Sequence, residues 1–119
     1  MIRLQRIAPE LPAPNLQKAV QYYEHNLGFK VVTQMSDDDY AVIERDCIAI
    51  HLFQDNSGKH SPIGIHVFTP DLDALFAELE KLGACLTQGI QRKPWGNREF
   101  RVRDEFGNEI KFTEPLVEE

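Results

Sequence analysis

The sequence predicts an α+β fold. It reads as two tandem βαβββ modules, one over about residues 1–56 and one over about 60–119, within a single domain whose strands form a curved mixed sheet and a cleft. Three observations predict this. Two amphipathic segments share one grammar, each is preceded by one short strand-like run and followed by three, and the two sets repeat at a constant offset. Asn15 and Asp71 stand 56 positions apart, as do Leu16 and Leu72, while Gly28 and Gly83 stand 55 apart. Duplication of one unit is the simplest account of such an offset.

The first helix is read from "NLQKAVQYYEHNLGF". Leu16, Ala19, Val20, Tyr23 and Leu27 recur there at three- and four-residue steps and so share one face. Asn15 is placed to cap its start, and Gly28 to supply a left-handed stop. In "PDLDALFAELEKLGA", Leu72, Leu75, Phe76, Leu79 and Leu82 repeat the stripe between an Asp71 cap and a Gly83 stop.

The strands are the runs that alternate or are rich in β-branched and aromatic residues. "FKVVTQM", "YAVIER" and "CIAIHLF" follow the first helix; "ACLTQGI", "EFRVR" and "EIKFTE" follow the second. "MIRLQRIA" with "ELPA" precedes the first helix, and "IGIHVFT" precedes the second. Turns fall at "SDDD" (36–39), "DNSGKHSP" (55–62) and "DEFGN" (104–108), where Gly107 or Asn108 takes a positive φ. One helix covers one face of a four-stranded sheet, so each module leaves its other face open. Two such faces side by side curl into a concave cleft.

Composition excludes several classes of function. With 119 residues, 42% hydrophobic and 27% charged, the chain can build one modest core. It has no apolar run of bilayer-spanning length, and "MIRLQRIAPELPAP" lacks the apolar middle of a signal peptide, so a soluble, cytoplasmic protein without membrane contact is expected. A net charge of -6 argues against a nucleic-acid partner and suits a cationic ligand. Cys47 and Cys85 lack disulfide or zinc spacing and read as reduced, partly buried thiols. No GxSxG elbow, GxxxxGKS phosphate loop or HExxH motif is present.

With this architecture, "PWGNREFRVRDEFGNEIKF" closely resembles the glyoxalase/bleomycin resistance protein/dioxygenase (vicinal oxygen chelate) superfamily. "APNLQKAVQYYEHNLGFKVV" is similar to the family's first helix with its following Leu-Gly-Phe, and "RDEFGNEIKF" to its last hairpin. "PWGNREFRVRD" and "LPAPNLQKAVQYYEHNLGF" are similar to stretches of the bleomycin resistance proteins, although related Pro-Trp-Gly loops also occur in metal-dependent members.

For the enzymes of the family, the resemblance implies a divalent metal on about three His, Gln or Glu ligands from the first strand of each module and a later strand. The matching positions here hold Ala8, Gly64 and Lys111. Two carry no donor atom, and the third carries an ammonium that repels a cation. A substitute set of His51, His66 and a carboxylate, Glu10 or Glu109, is the rival reading. His25 and His60 read as solvated. No catalytic residue, metal or cofactor is expected.

A cleft without metal still binds if it has an aromatic lining and a few placed polar groups. The candidates for ligand binding are Trp95, His51, Phe53, His66, Phe68, Tyr40 and Phe100. Alternation sends Ile48, Ile50 and Leu52 to the core and Ala49, His51 and Phe53 to the cleft. It likewise sends Gly64, His66 and Phe68 to the cleft. In "EFRVR" it leaves open whether Phe100 and Val102 or Glu99, Arg101 and Arg103 face that way. Trp95, between Pro94 and Gly96, either presents its ring for stacking or plugs the end of the core. "SDDDY" either attracts a basic ligand or is simply solvated.

The resemblance implies a small-molecule binding protein of the bleomycin resistance type. Such a protein is a homodimer that sequesters an antibiotic or other metabolite between subunits without altering it. An exposed apolar cleft also favours dimerisation on physical grounds. The rivals are a metal-dependent lyase, isomerase or transferase, and an interaction module whose concave face contacts another protein.

Overall fold

In the computed structural model, residues 1–34 and 39–115 are described. All of the turn expected at 36–39 except Asp39, and with it most of the acidic "SDDDY" stretch, lies outside the described residues. Strand β1 (Glu10–Ala13) leads into helix α1 (Leu16–Leu27), then β2 (Lys30–Gln34), β3 (Tyr40–Arg45) and β4 (Ile48–Gln54). The second module repeats the order with β5 (Gly64–Phe68), α2 (Leu72–Lys81), β6 (Leu86–Arg92), β7 (Arg98–Arg103) and β8 (Glu109–Thr113). The two sheets, one per module, run β1-β4-β3-β2 and β5-β8-β7-β6, so the first and last strand of each module pair in parallel and the others antiparallel.

Helix α1 buries the stripe read from the sequence, and it starts and stops where its caps demand. The Asn15 carboxamide accepts from the Lys18 N–H at 3.1 Å, and Gly28 takes φ 76°. Helix α2 differs at its start. Asp71 stands at the N-cap, but its carboxylate makes no cap bond; its own N–H goes to the Thr69 hydroxyl at 3.0 Å. Leu72 and Leu79 are buried, whereas Leu82, expected on the same stripe, is exposed.

Strand β1 is shorter than expected. Residues 1–9 form no strand, and Ile2, Leu4 and Ile7 stand in solvent, with Arg6 reaching Glu44 at 3.5 Å. Pro9 has no N–H to extend a ladder; its carbonyl accepts from His51 N–H at 2.9 Å, where the pairing begins.

The core lies between each helix and one face of its own sheet. Leu11, Ala41, Ile43, Ile50 and Leu52 pack under α1. Under α2, Phe76 meets Phe100 edge-on at 5.1 Å, and Phe100 meets Phe112 at 5.2 Å. This settles the "EFRVR" run: Phe100 and Val102 point into the core, leaving Glu99, Arg101 and Arg103 on the open face.

The modules join at the β7–β8 turn. Asp104 is buried, and its two oxygens accept from five donors: the N–H groups of Phe106, Gly107 and Asn108, the Asn108 carboxamide at 2.8 Å, and the Tyr23 hydroxyl of α1 at 2.9 Å. Asn108 also donates to the Pro12 carbonyl of β1 and accepts from Ile63 N–H, just before β5. Gly107 supplies the positive φ of the turn, 104°. Tyr22 O–H donates to the Arg103 carbonyl and accepts from Cys85 N–H, both at 2.9 Å, and Arg45 pairs with Glu78 at 2.8 Å.

The radius of gyration is 15.0 Å, above the about 13.5 Å of a fully compact chain of this length, as open sheet faces and an extended N-terminal arm require. No described helix is long and apolar enough to cross a membrane. Cys47 and Cys85 are unpaired, and both are exposed, not partly buried as expected.

Burial pushes the Tyr23 phenol well above its usual range, and the Asp104 charge and hydrogen bond push it further, so the donor stays protonated. Replacing it in Tyr23→Phe leaves a buried carboxylate short of one partner, which costs about 1–3 kcal/mol. Urea unfolding at neutral pH measures this. A variant as stable as the parent would show that Tyr23 does not clasp the modules.

Candidate functional site

The open face of the first sheet is built by register. Glu10, His51 and Val42 form one cross-strand row; Pro12, Phe53 and Tyr40 form the next. Tyr40 reaches diagonally between the rows. Its hydroxyl lies 2.7 Å from Glu10 Oε2 and 2.7 Å from His51 Nδ1, and its ring meets that of His51 at 5.6 Å. Burial and the hydrogen bond and charge of Glu10 push the Tyr40 phenol up to about 12. Phe53 is backed edge-on by His60 at 5.1 Å. His60, expected to be solvated only, also meets Asp55 at 3.2 Å.

The open face of the second sheet has three rows: Gly64–Glu109–Arg103, His66–Lys111–Arg101 and Phe68–Thr113–Glu99. His66 and Phe68 stack with their planes 17° apart. Glu99 is 1% exposed and lies 2.7 Å from Arg101 Nε and 3.8 Å from Lys93 Nζ. Burial pushes its carboxyl up, but those two cations outweigh burial and hold it below the usual range. Arg101 also approaches Glu109 at 3.7 Å, whereas Lys111 makes no ion pair among the described residues.

Of the sequence candidates, the structure brings Tyr40, His51 and Phe53 together on one sheet, and His66 and Phe68 on the other. Phe100 does not join them: it is 0% exposed between Phe76 and Phe112, because the apolar pair of β7 packs under α2. Trp95 does not plug the core. It stands 62% exposed on the β6–β7 turn, closed by Lys93 N–H on the Asn97 carbonyl at 2.7 Å, beyond the end of the sheet that carries Phe68 and Glu99. The sequence reading missed the Glu99–Arg101–Lys93 cluster, although the alternation of Phe100 and Val102 with charged neighbours was its signal.

A groove of ≈ 430 Å³ lies at the seam, lined by Ala8, Ala49, Ile65, His66 and Phe68 among others. A larger one, ≈ 520 Å³, opens beside it toward α2, between Arg45, Thr69 and Glu78. The smaller groove holds two of the candidate rings, His66 and Phe68.

The residues at the positions where the resemblance implies metal ligands do not fit a metal. Ala8 offers no donor, Gly64 no side chain and Lys111 a positive charge. Among the described residues no three His, Cys, Asp or Glu side chains gather into a metal-holding group. The substitute set is not assembled within the chain either: His51 and Glu10 meet through Tyr40, and His66 and Glu109 belong to the other sheet.

The Glu99 carboxyl lies below its unfolded value of about 4.3, so the stability it contributes is present above that pH and is lost as pH falls through the folded value. Glu99→Gln therefore destabilises the protein most near neutrality, and the gap from the parent narrows toward about pH 3. Denaturant midpoints across this range measure it. A gap independent of pH would contradict the pairing with Arg101.

The fold has close counterparts. TioX from Micromonospora sp. ML1 aligns with a TM-score of 0.82 and 24% identity over 94% of this chain and 99% of that one. A bleomycin-binding protein, seen in complex with bleomycin, aligns at 0.81 and 16% identity over 95% and 100%. Lactoylglutathione lyase from Agrobacterium tumefaciens aligns at 0.75 and 17% identity over 92% of each chain. Binding proteins and enzymes thus share this scaffold, and such likeness speaks for fold alone. No curated protein sequence matches the chain. The family model does match, over residues 3–112, and the chain belongs to the glyoxalase/bleomycin resistance protein/dioxygenase superfamily.

Proposed function

We propose that the protein binds a small molecule and sequesters it without chemistry, in the manner of bleomycin resistance proteins. The observation that carries this is Lys111. Its ammonium stands on the open face between His66 and Arg101, at the position where the family resemblance implies a metal ligand. A divalent cation is repelled there, while the rings and polar groups of both open faces remain suited to holding a ligand.

The proposed working form is a homodimer in the cytoplasm. Open sheet faces, the 60% exposure of Phe68 and the solvent-facing Ile2, Leu4 and Ile7 are apolar surface that a second copy would cover. Two exposed free thiols suit a reducing compartment. The ligand-binding residues proposed are Tyr40, His51 and Phe53 from one sheet, His66 and Phe68 from the other, and Trp95 at the hairpin tip. A bleomycin-type antibiotic is the first ligand to try.

Titrating Trp95, the only tryptophan, with metal-free bleomycin by fluorescence, with calorimetry as control, tests the reading. The expected result is saturation at about one ligand per subunit with a free energy of about -8 kcal/mol or stronger; absence of heat would remove bleomycin as the ligand. Light scattering on the eluting protein should give twice the 13.7 kDa chain mass. A strict monomer would defeat a cleft between subunits. A metal-dependent lyase, isomerase or transferase would instead retain a stoichiometric divalent metal after loading with manganese, nickel and zinc. We expect elemental analysis to find well under one equivalent.

A further inference from the structure

Tyr40 has one hydroxyl proton and two neighbours at equal distance, Glu10 Oε2 and His51 Nδ1, each at 2.7 Å. A carboxylate only accepts hydrogen bonds. If Tyr40 gave its proton to His51, its oxygen would face the Glu10 oxygen with no hydrogen between them, which is repulsive. The proton therefore goes to Glu10, and the phenol oxygen must receive one from His51. This puts a proton on Nδ1, so that in the neutral imidazole Nε2 keeps a bare lone pair. Because the Tyr40 phenol is pushed up to about 12, it keeps its proton across the physiological range.

Nε2 has no partner among the described residues. His51 lies between Ile50 and Leu52, both fully buried under α1, so alternation aims its ring at the open face. Around it stand the Glu10 carboxylate, Val42 and, one row on, the Phe53 ring. Glu44 shares this face with two cations, Lys30 opposite it in register and Arg6 at 3.5 Å, whereas Glu10 has no ion pair among the described residues and is the carboxylate left to meet a cation. The second sheet instead has cations, Lys111 and Arg103, without an ion pair among the described residues.

We infer that Glu10 and Tyr40 position His51 as an Nδ1–H tautomer whose Nε2 accepts a hydrogen bond from a cationic N–H group of the ligand, an ammonium or amidinium attached to a body that packs on Phe53. Glu10 supplies the charge complement and Phe53 an aromatic face. The ligand half of this inference rests on the binding function proposed above; the tautomer does not.

Protein labelled with ¹⁵N-histidine reports the tautomer directly through long-range ¹H–¹⁵N correlations. The expected spectrum has the His51 proton on Nδ1 in the parent and mainly on Nε2 in Tyr40→Phe, a change that a merely structural tyrosine would not cause. A parent spectrum with the proton on Nε2 overturns the inference, with or without a folded variant. Benzylammonium chloride is then titrated against sodium benzoate. Benzylammonium should shift His51 Nε2 and bind at least fivefold more weakly to Tyr40→Phe, and benzoate should leave Nε2 unmoved. A response to benzoate alone, or to neither probe, overturns the ligand class. A response to benzylammonium without any binding of bleomycin supports this inference while removing that antibiotic from the proposed function.

Discussion

The buried carboxylate of Asp104 is the constraint on which the arrangement of the two modules rests. An ionised group removed from water costs several kcal/mol unless its lone pairs are filled. Here they are filled from both modules: the β7–β8 turn closes on one oxygen, and Tyr23 of α1 and the Asn108 carboxamide reach the other. Asn108 carries the constraint to the edge strands by holding the Pro12 carbonyl of β1 and the Ile63 N–H ahead of β5. The turn thus fixes the last strand of module two, the helix of module one and one edge of each sheet together. A partly made version would strand a charge in the interior, so the junction forms as a unit.

With the junction fixed, the two open faces are set side by side, and their chemistry differs because the outward residues of the strands differ in charge and polarity. Inward, both modules present apolar residues to their helices, aliphatic in the first and with Phe100 and Phe112 added in the second. Outward, the first sheet carries Glu10, Tyr40, His51 and Phe53, and the second carries Lys111, Arg101 and the buried Glu99. Glu99 needs Arg101 and Lys93 for the reason Asp104 needs its donors. Its burial orders two basic side chains on the face, where Lys111 and Arg103 have no ion pair among the described residues.

Local rules made most of the fold legible in the sequence, and the exceptions have local causes. Periodicity located both helices, and Asn15 capped as its residue type dictates, whereas at Asp71 the Thr69 hydroxyl took over the turn. Pro9 stopped β1 from beginning at the alternating residues before it. Alternation placed His51, Phe53, His66 and Phe68 correctly on open faces. Phe100 and Val102 share one face of β7 as Ile50 and Leu52 share one face of β4, and the same alternation puts both pairs in the core. The Glu10–Tyr40–His51 contact was beyond such reasoning, since it depends on a register that puts residues from three strands within one diagonal reach, and no single-strand pattern encodes register.

The positions at which the family resemblance implies metal ligands bear on why this scaffold serves both binding proteins and enzymes. A Cβ built on Gly64 meets nothing nearer than the Glu109 carbonyl oxygen at 4.0 Å, so packing does not forbid a larger side chain there. Lys111 is half-buried on the open face, and its neighbours inward, Ile110 and Phe112, make the core contacts. Ala8 precedes the first paired strand altogether. None of the three residues supports the core or the Asp104 junction. Folding energy therefore sets few limits on these positions, and the step between holding a ligand and polarising it on a metal is a change of outward side chains, independent of the interactions that make the fold.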